Sequence, residues 1–180
     1  MVHLTSSKPR RSAKEVALDC LSRRALTYYE LETRLKEKGY ESSEVQAVLE
    51  RLLEWGYLND QEQALMYSQS RLKRYSRRRV QQDMKNRGLE PELIEQALGA
   101  TYSSKDEFQQ CVTLAERWYV QENKRWEHKY AAEITKRTIS RELWVRQKIA
   151  QKLVQRGYPS EMVRSVLSQI EMDKGENEGI

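Results

Sequence analysis

The sequence predicts an all-α protein built as three tandem three-helix-bundle repeats forming an elongated, curved array. Three observations carry that expectation. Gly39, Gly88 and Gly157 share one frame: Leu35, Met84 and Leu153 stand four residues before them, and Leu31, Val80 and Ile149 stand eight before. Tyr40, Leu89 and Tyr158 follow directly; Val45, Ile94 and Val163 come six after, and Leu49, Leu98 and Leu167 ten after. Glycine (7) and proline (3) are too scarce in 180 residues for the many tight turns of an all-β chain. Thr27-Tyr28-Tyr29-Glu30 has the spacing of a capping box, in which cap and acid satisfy each other's backbone N–H.

Each copy reads the same way. Apolar residues at −8 and −4 share one helical face, and the glycine supplies the left-handed residue that ends the helix. The apolar residue after it folds back on the last turn. A polar or proline position then opens the next helix: Ser42 or Ser43, Pro91 after Glu90, and Pro159-Ser160. Residues at +6 and +10 give that helix its buried stripe.

Upstream, each copy has room for one more helix. Residues 1–12 read as a loose basic tail without the hydrophobic core of a signal peptide. The first repeat, 13–58, starts with the stripe Val16, Ala17, Cys20 and Leu21. The second, 59–100, opens after Gly56-Tyr57-Leu58-Asn59-Asp60 with a helix expected to reach about Arg74. The third, 101–170, opens with a helix from Asp106 to about Tyr119 carrying Phe108, Val112 and Ala115. The repeat glycines are 49 and 69 residues apart, so the third copy carries about twenty extra residues near 120–139. That insertion is highly charged and fits a long loop or an extended helix; Ala131, Ala132 and Ile134 favour helix. The acidic segment 171–180 is expected to be disordered.

Composition narrows the function. Lys and Arg number 32 against 27 Asp and Glu, and mean hydropathy is −0.88. Leu, Val, Ile and Phe together just clear the roughly 20% below which a chain of high net charge stays unfolded, and a net charge of +5 is modest. No apolar run is long enough to span a bilayer. Cys20 and Cys111 suit small buried hydrophobes in a reducing cytoplasm, and with His3 and His128 they lack metal-ligand spacing. No phosphate loop, Gly-x-Ser-x-Gly or His-Glu-x-x-His is present. The carboxylates mostly neighbour Lys or Arg, as exposed ion-pair partners would. The expectation is a non-enzyme without cofactor or metal.

Charge is unevenly placed. Between Tyr67 and Gly88 stand Arg71, Lys73, Arg74, Arg77, Arg78, Arg79, Lys85 and Arg87 against Asp83 alone. Between Arg117 and Lys152 ten basic side chains, among them Arg137, Arg141, Arg146 and Lys148, face four glutamates. Such a footprint points to a polyanion or a partner carrying one. With Val80 and Met84 inward, Arg78, Gln81, Gln82 and Lys85 fall on the outer face. The arginine cluster also sits at the helix N-terminus, where backbone N–H groups favour an anion. A merely solvated charged face is the plainer alternative. Tyr67, Tyr75, Trp126 and Tyr130 could stack on bases, although aromatics at helical spacing more often line a core; Trp118 and Trp144 read as core.

The residues also carry a resemblance. Leu21-Ser22-Arg23-Arg24-Ala25-Leu26-Thr27-Tyr28-Tyr29-Glu30-Leu31, with Leu35 and Lys38-Gly39-Tyr40, resembles the opening motif of the RecX regulators of the bacterial recombinase RecA. Gly56-Tyr57-Leu58-Asn59-Asp60 with Ala64 is similar to that family's Gly-Tyr-Leu-Asp-Asp-x-x-Phe-Ala signature, with Gln63 in place of Phe. Ser70-Arg71, Arg78-Arg79-Val80, Arg87-Gly88-Leu89 and Gln155-Arg156-Gly157-Tyr158 follow its later elements, and Arg74-Tyr75-Ser76-Arg77 replaces its usual Gly-Tyr-Gly-Pro turn. The likeness runs from about Ala13 to Ile170. It implies a regulator that lodges in the groove of the RecA filament on single-stranded DNA and suppresses ATP hydrolysis, strand exchange and coprotease action. Cytoplasmic placement is expected from the cysteine usage and composition, and with nothing in the sequence demanding a dimer the expectation is a monomer. Free single- or double-stranded DNA is a further possible partner. The competing expectation is a stand-alone DNA-binding protein using a helix-turn-helix-like unit.

Overall fold

Nine α-helices and no strands make up residues 11–130 and 140–175, which the computed structural model describes. In chain order they are α1 (Ala13–Arg23), α2 (Tyr28–Glu37), α3 (Ser42–Glu54), α4 (Asp60–Arg71), α5 (Arg77–Asn86), α6 (Pro91–Thr101), α7 (Ser104–Tyr130), α8 (Arg141–Gln155) and α9 (Ser160–Gly175). The buried apolar side chains fall into three clusters, each drawn from three consecutive helices and the turns between them. Leu31, Leu35, Leu49 and Leu52 centre the first; Val80, Met84, Ile94 and Leu98 the second; Ile149, Leu153, Val166 and Leu167 the third. These are the −8, −4, +6 and +10 positions of the glycine frame and their neighbours. Each fully buried Leu or Ile contributes about 1.5–3 kcal/mol.

The helix ends follow local chemistry. The Thr27 hydroxyl accepts from the Glu30 N–H at 3.1 Å while Glu30 Oε2 accepts from the Thr27 N–H at 3.1 Å, completing the expected box. Ser12 and Glu15 form a second such box at α1. Asn59, Ser76 and Ser140 cap α4, α5 and α8 through their side chains. Gly39, Gly88 and Gly157 have φ of 79°, 73° and 89°, and Gly56 joins them at 72°. In each framed turn the following residue donates its N–H back to the residue four before the glycine, as Leu89 does to Met84 at 3.3 Å.

Several boundaries move. Helix α4 stops at Arg71, three residues short of Arg74: past Leu72 the chain tightens into a turn in which the Arg74 N–H donates to the Arg71 carbonyl only three residues back, at 2.9 Å. Helix α7 continues unbroken past Tyr119 to Tyr130, so the first half of the expected insertion is helix. Its inward positions explain this: Val112, Ala115, Trp118, Glu122 and Trp126 are all buried and follow a three-to-four residue stripe. Helix α9 reaches Gly175, five residues into the segment expected to be disordered. Residues 1–10, 131–139 and 176–180 lie outside the described residues, and with them the remainder of the tail and insertion expectations.

Candidate nucleic-acid and partner interface

The eight basic residues expected to act together divide by what they touch. Arg71, Lys73, Arg74, Arg78, Arg79 and Lys85 are exposed, whereas Arg77 and Arg87 are partly covered. Arg78 and Lys85 lie on the outer face of α5, opposite the buried Val80 and Met84, and neither pairs with an acid among the described residues. Seven residues apart, they are separated by about 10 Å along the helix axis. Lys73 and Arg74 sit on the turn that leads into α5, also without an ion pair among the described residues. Arg71 lies over the rings of Tyr67 and Tyr75, 5.3 and 5.7 Å from their centroids.

The others meet acids of the chain itself. Arg77 pairs with Glu95 at 3.1 Å and Arg79 with Asp83 at 3.1 Å. Arg87 donates from Nε and Nη2 to the two oxygens of Glu30, at 3.1 and 3.0 Å. Its side chain is only 16% exposed, so it cannot serve a polyanion on the surface. Burial pushes the Glu30 carboxyl up, but the Arg87 hydrogen bonds, the Thr27 N–H and the charges of Arg87 and Arg24 outweigh it and hold the group below its usual range.

The helix N-terminus is a second correction. The Arg77 N–H donates to Glu107 Oε1 at 2.8 Å and the Arg79 N–H to Ser76 Oγ at 3.1 Å. The chain's own carboxylate thus occupies the place where α5 would receive an anion. Attraction for a polyanion rests on the exposed side chains alone.

In the third helical group, Arg141 donates to Asn123 Oδ1 at 2.8 Å and to Glu127 Oε1 at 2.7 Å. Lys148 Nζ sits 5.7 Å above the Trp144 ring, and Arg146 is partly covered. Arg137 lies outside the described residues. This region therefore does not form one free basic strip with α5.

The aromatic candidates are mostly committed to packing. Trp126 is buried and its ring lies 5.3 Å from that of Trp144, which is half-buried; Trp118 is buried. Tyr67 and Tyr75 are half-buried against the second cluster, with Tyr75 also under Arg156. The Tyr130 side chain lies outside what the structure describes. His128 is exposed, as a surface histidine should be. Cys111 is buried and its thiol is pushed up to about 12 by desolvation and by Glu107, while Cys20 is only partly covered. An exposed aromatic pair that the sequence reading missed is Trp55 and Tyr57, about half and 60% exposed, with edge-to-face rings 6.4 Å apart and Lys14 Nζ 4.6 Å over Trp55. Their place on either side of Gly56, off the Val45–Leu49–Leu52 stripe, was the available signal.

Not every carboxylate is a surface partner. Glu122 is 2% exposed, an exception to the expectation that the carboxylates are mostly exposed ion-pair partners. Among the described residues no group of three or more His, Cys, Asp or Glu could hold a metal ion, and no helix is long and apolar enough to cross a membrane.

Comparison with known proteins follows the same division of the chain. Residues 13–52 match the first three-helix domain of RecX, and residues 59–98 match the second. The Regulatory protein RecX of Trichlorobacter lovleyi is 30% identical over 165 residues, covering 91% of this chain and 98% of that one. That of Caldanaerobacter subterraneus is 31% identical over 108 residues, covering 59% of this chain and 55% of its own. A crystal structure of RecX from Lactobacillus salivarius superposes with a TM-score of 0.63 at 18% identity, covering 89% of this chain and 95% of that one, which shows a shared fold. Tandem three-helix domains, the framed glycine turns and near full-length similarity agree: the chain belongs to the RecX family of regulatory proteins.

Proposed function

We propose that this protein regulates a RecA-type recombinase by occupying the groove of its filament on single-stranded DNA, restraining ATP hydrolysis, strand exchange and coprotease action without catalysis of its own. The observation that carries the reading is the basic surface formed by Lys73, Arg74, Arg78 and Lys85, exposed and without acidic partners among the described residues, in a chain of this family. Exposed cations attract phosphates or an acidic protein face at little cost to folding, since removing them disturbs no packing. An extended series of helical units is suited to following a groove, and work by occupancy needs no reacting group.

The test is recombinase ATPase on single-stranded DNA, titrated with the parent protein and with a Lys73→Ala, Arg78→Ala, Lys85→Ala variant. The expected result is inhibition by the parent and at least a tenfold weaker effect of the variant, with thermal unfolding of the two within a few degrees. Equal inhibition by both would remove this surface from the interface. Sequence-specific duplex binding at physiological salt, with no effect on the recombinase, would replace the reading by that of a stand-alone DNA-binding protein.

A further inference from the structure

Successive three-helix groups are joined twice, and the two joints use equivalent residues. Thr27 and Ser76 are the N-caps of α2 and α5, the middle helices of the first two groups. Arg87 and Arg156 each stand directly before a framed glycine, in the turn that ends the middle helix of the next group. At the first joint the Thr27 hydroxyl donates to the Arg87 carbonyl at 2.6 Å; at the second the Ser76 N–H donates to the Arg156 carbonyl at 3.0 Å.

The correspondence extends to the flanking contacts. The first helical N–H of the middle helix is capped by a carboxylate from the start of the next group: Tyr28 N–H by Asp60 Oδ1 at 2.9 Å, and Arg77 N–H by Glu107 Oε1 at 2.8 Å. Each turn glycine lies flush against the same helix. A Cβ on Gly88 would come within 2.3 Å of the Tyr29 side chain, and one on Gly157 within 2.7 Å of Arg79 Cβ. Both arginine side chains then close the joint, Arg87 on Glu30 and Arg156 on the Arg74 carbonyl at 2.8 Å, with the Arg156 guanidinium over the Trp118 and Tyr75 rings.

We infer that the arginine before the turn glycine is a clasp that fixes the angle between consecutive groups, so that Arg87 and Arg156 set the shape of the chain instead of contacting a polyanion. The reason is geometric. At the first joint the guanidinium fork holds both Glu30 oxygens in one orientation. At the second, one N–H of Arg156 holds the Arg74 carbonyl while its guanidinium lies over Tyr75 and Trp118, and the compact ammonium of Lys reproduces neither arrangement. The first helical N–H of α2 and that of α5 are satisfied by a carboxylate that is in place only when the next group is docked in this pose. The inference holds whatever the protein binds, because its readout is shape.

Arg87→Lys, Arg156→Lys and Glu30→Gln in the full chain test it. Lys keeps the charge, and Gln keeps the capping-box acceptor of α2, so the helices persist. Amide exchange over residues 26–31 reports the first joint, exchange over residues 75–80 the second, and solution X-ray scattering reports overall shape. Arg87→Lys and Glu30→Gln are both expected to speed exchange at Tyr28 and Tyr29 at least tenfold and to broaden the distance distribution. Arg156→Lys is expected to do the same at Arg77 and Arg78. Binding of oligo-dT should stay within about twofold of the parent in all three. Glu30→Gln frees Arg87, so tighter oligo-dT binding with unchanged exchange would make Arg87 a polyanion ligand and overturn the inference. Parent-like exchange and scattering in all three variants would overturn it equally.

Discussion

The Glu122 carboxylate lies inside the third helical group, and the Lys152 ammonium from α8 reaches it at 2.5 Å, with Arg125 at 2.8 Å on the same oxygen. The two cations are not equivalent. Lys152 is 27% exposed and crosses from one helix to the other, whereas Arg125 is 60% exposed and lies one turn along α7. The Lys152 ammonium also lies over the Trp118 ring, 5.4 Å from its centroid.

Removing Lys152 leaves a buried anion with only a solvent-screened partner. Lys152→Met is therefore expected to cost about 3 kcal/mol, toward the lower end of what breaking a buried pair costs because Arg125 remains. Arg125→Met is expected to cost under about 1 kcal/mol, as exposed pairs do. Urea unfolding of the two variants at neutral pH measures the difference; equal losses would show that Arg125 and Lys152 share the pair equally in spite of their different exposure.

The glycine turns separate conformational cost from contact cost. Gly56 and Gly88 both hold φ near 70°, but a Cβ on Gly56 meets open space while one on Gly88 runs into Tyr29. Gly56→Ala should lose about 1 kcal/mol from the left-handed backbone alone. Gly88→Ala should lose at least about 3 kcal/mol, because overlap with a side-chain root cannot be relieved by rotating its far end. Unfolding midpoints of the two Ala variants decide this, and similar values would mean that the first joint yields easily.

Two acids at the first joint have opposite pH signatures. Glu30 lies below its ordinary 4.5 in the folded protein, because Arg87 and the Thr27 N–H outweigh burial. Its contribution is present above that ordinary value and is lost as pH falls through the folded one. Asp60 lies above its ordinary 3.8, because burial outweighs the Tyr28 N–H. Its contribution is complete below 3.8 and is lost as pH rises through the folded value. Glu30→Gln should lose stability at pH 7 and converge on the parent in acid. Asp60→Asn keeps an acceptor for Tyr28 and should gain stability at pH 7, a gain that vanishes below about pH 4. Urea midpoints between pH 3 and 7 check both signs.

What the sequence made legible was local. Glycine turns, caps and buried stripes depend on spacings of three to five residues, so Gly39, Thr27 and Val80 could be placed without coordinates. The charged residues could not be sorted that way, because their partners are distant in sequence: Glu30 lies 57 residues before Arg87, and Glu107 lies 30 after Arg77. A run of arginines looks uniform until the fold decides which of them an acid already holds. Glu122 shows the same limit: its charge alone suggests an exposed position, while its register with Trp118 and Trp126 on α7 turns it inward.

That sorting can be read in salt dependence. Each cation that neutralises a phosphate of single-stranded DNA contributes about 0.7 to the slope of log affinity against log salt. If Lys73, Arg78 and Lys85 all contact the strand, their triple Ala variant should flatten the slope by about 2. Arg77→Ala frees Glu95, and Arg79→Ala frees Asp83, so each exposes an acid near the same surface. Those two variants are expected to weaken binding through added repulsion that fades with salt, with a slope change below that of the triple variant. Titrating oligo-dT binding between about 50 and 200 mM salt separates the cases, since phosphate contacts dominate at the low end and are largely lost at the high end. A slope that stays parental in the triple variant, with inhibition of the recombinase nonetheless lost, would place these three cations on the acidic face of a protein partner instead of on DNA.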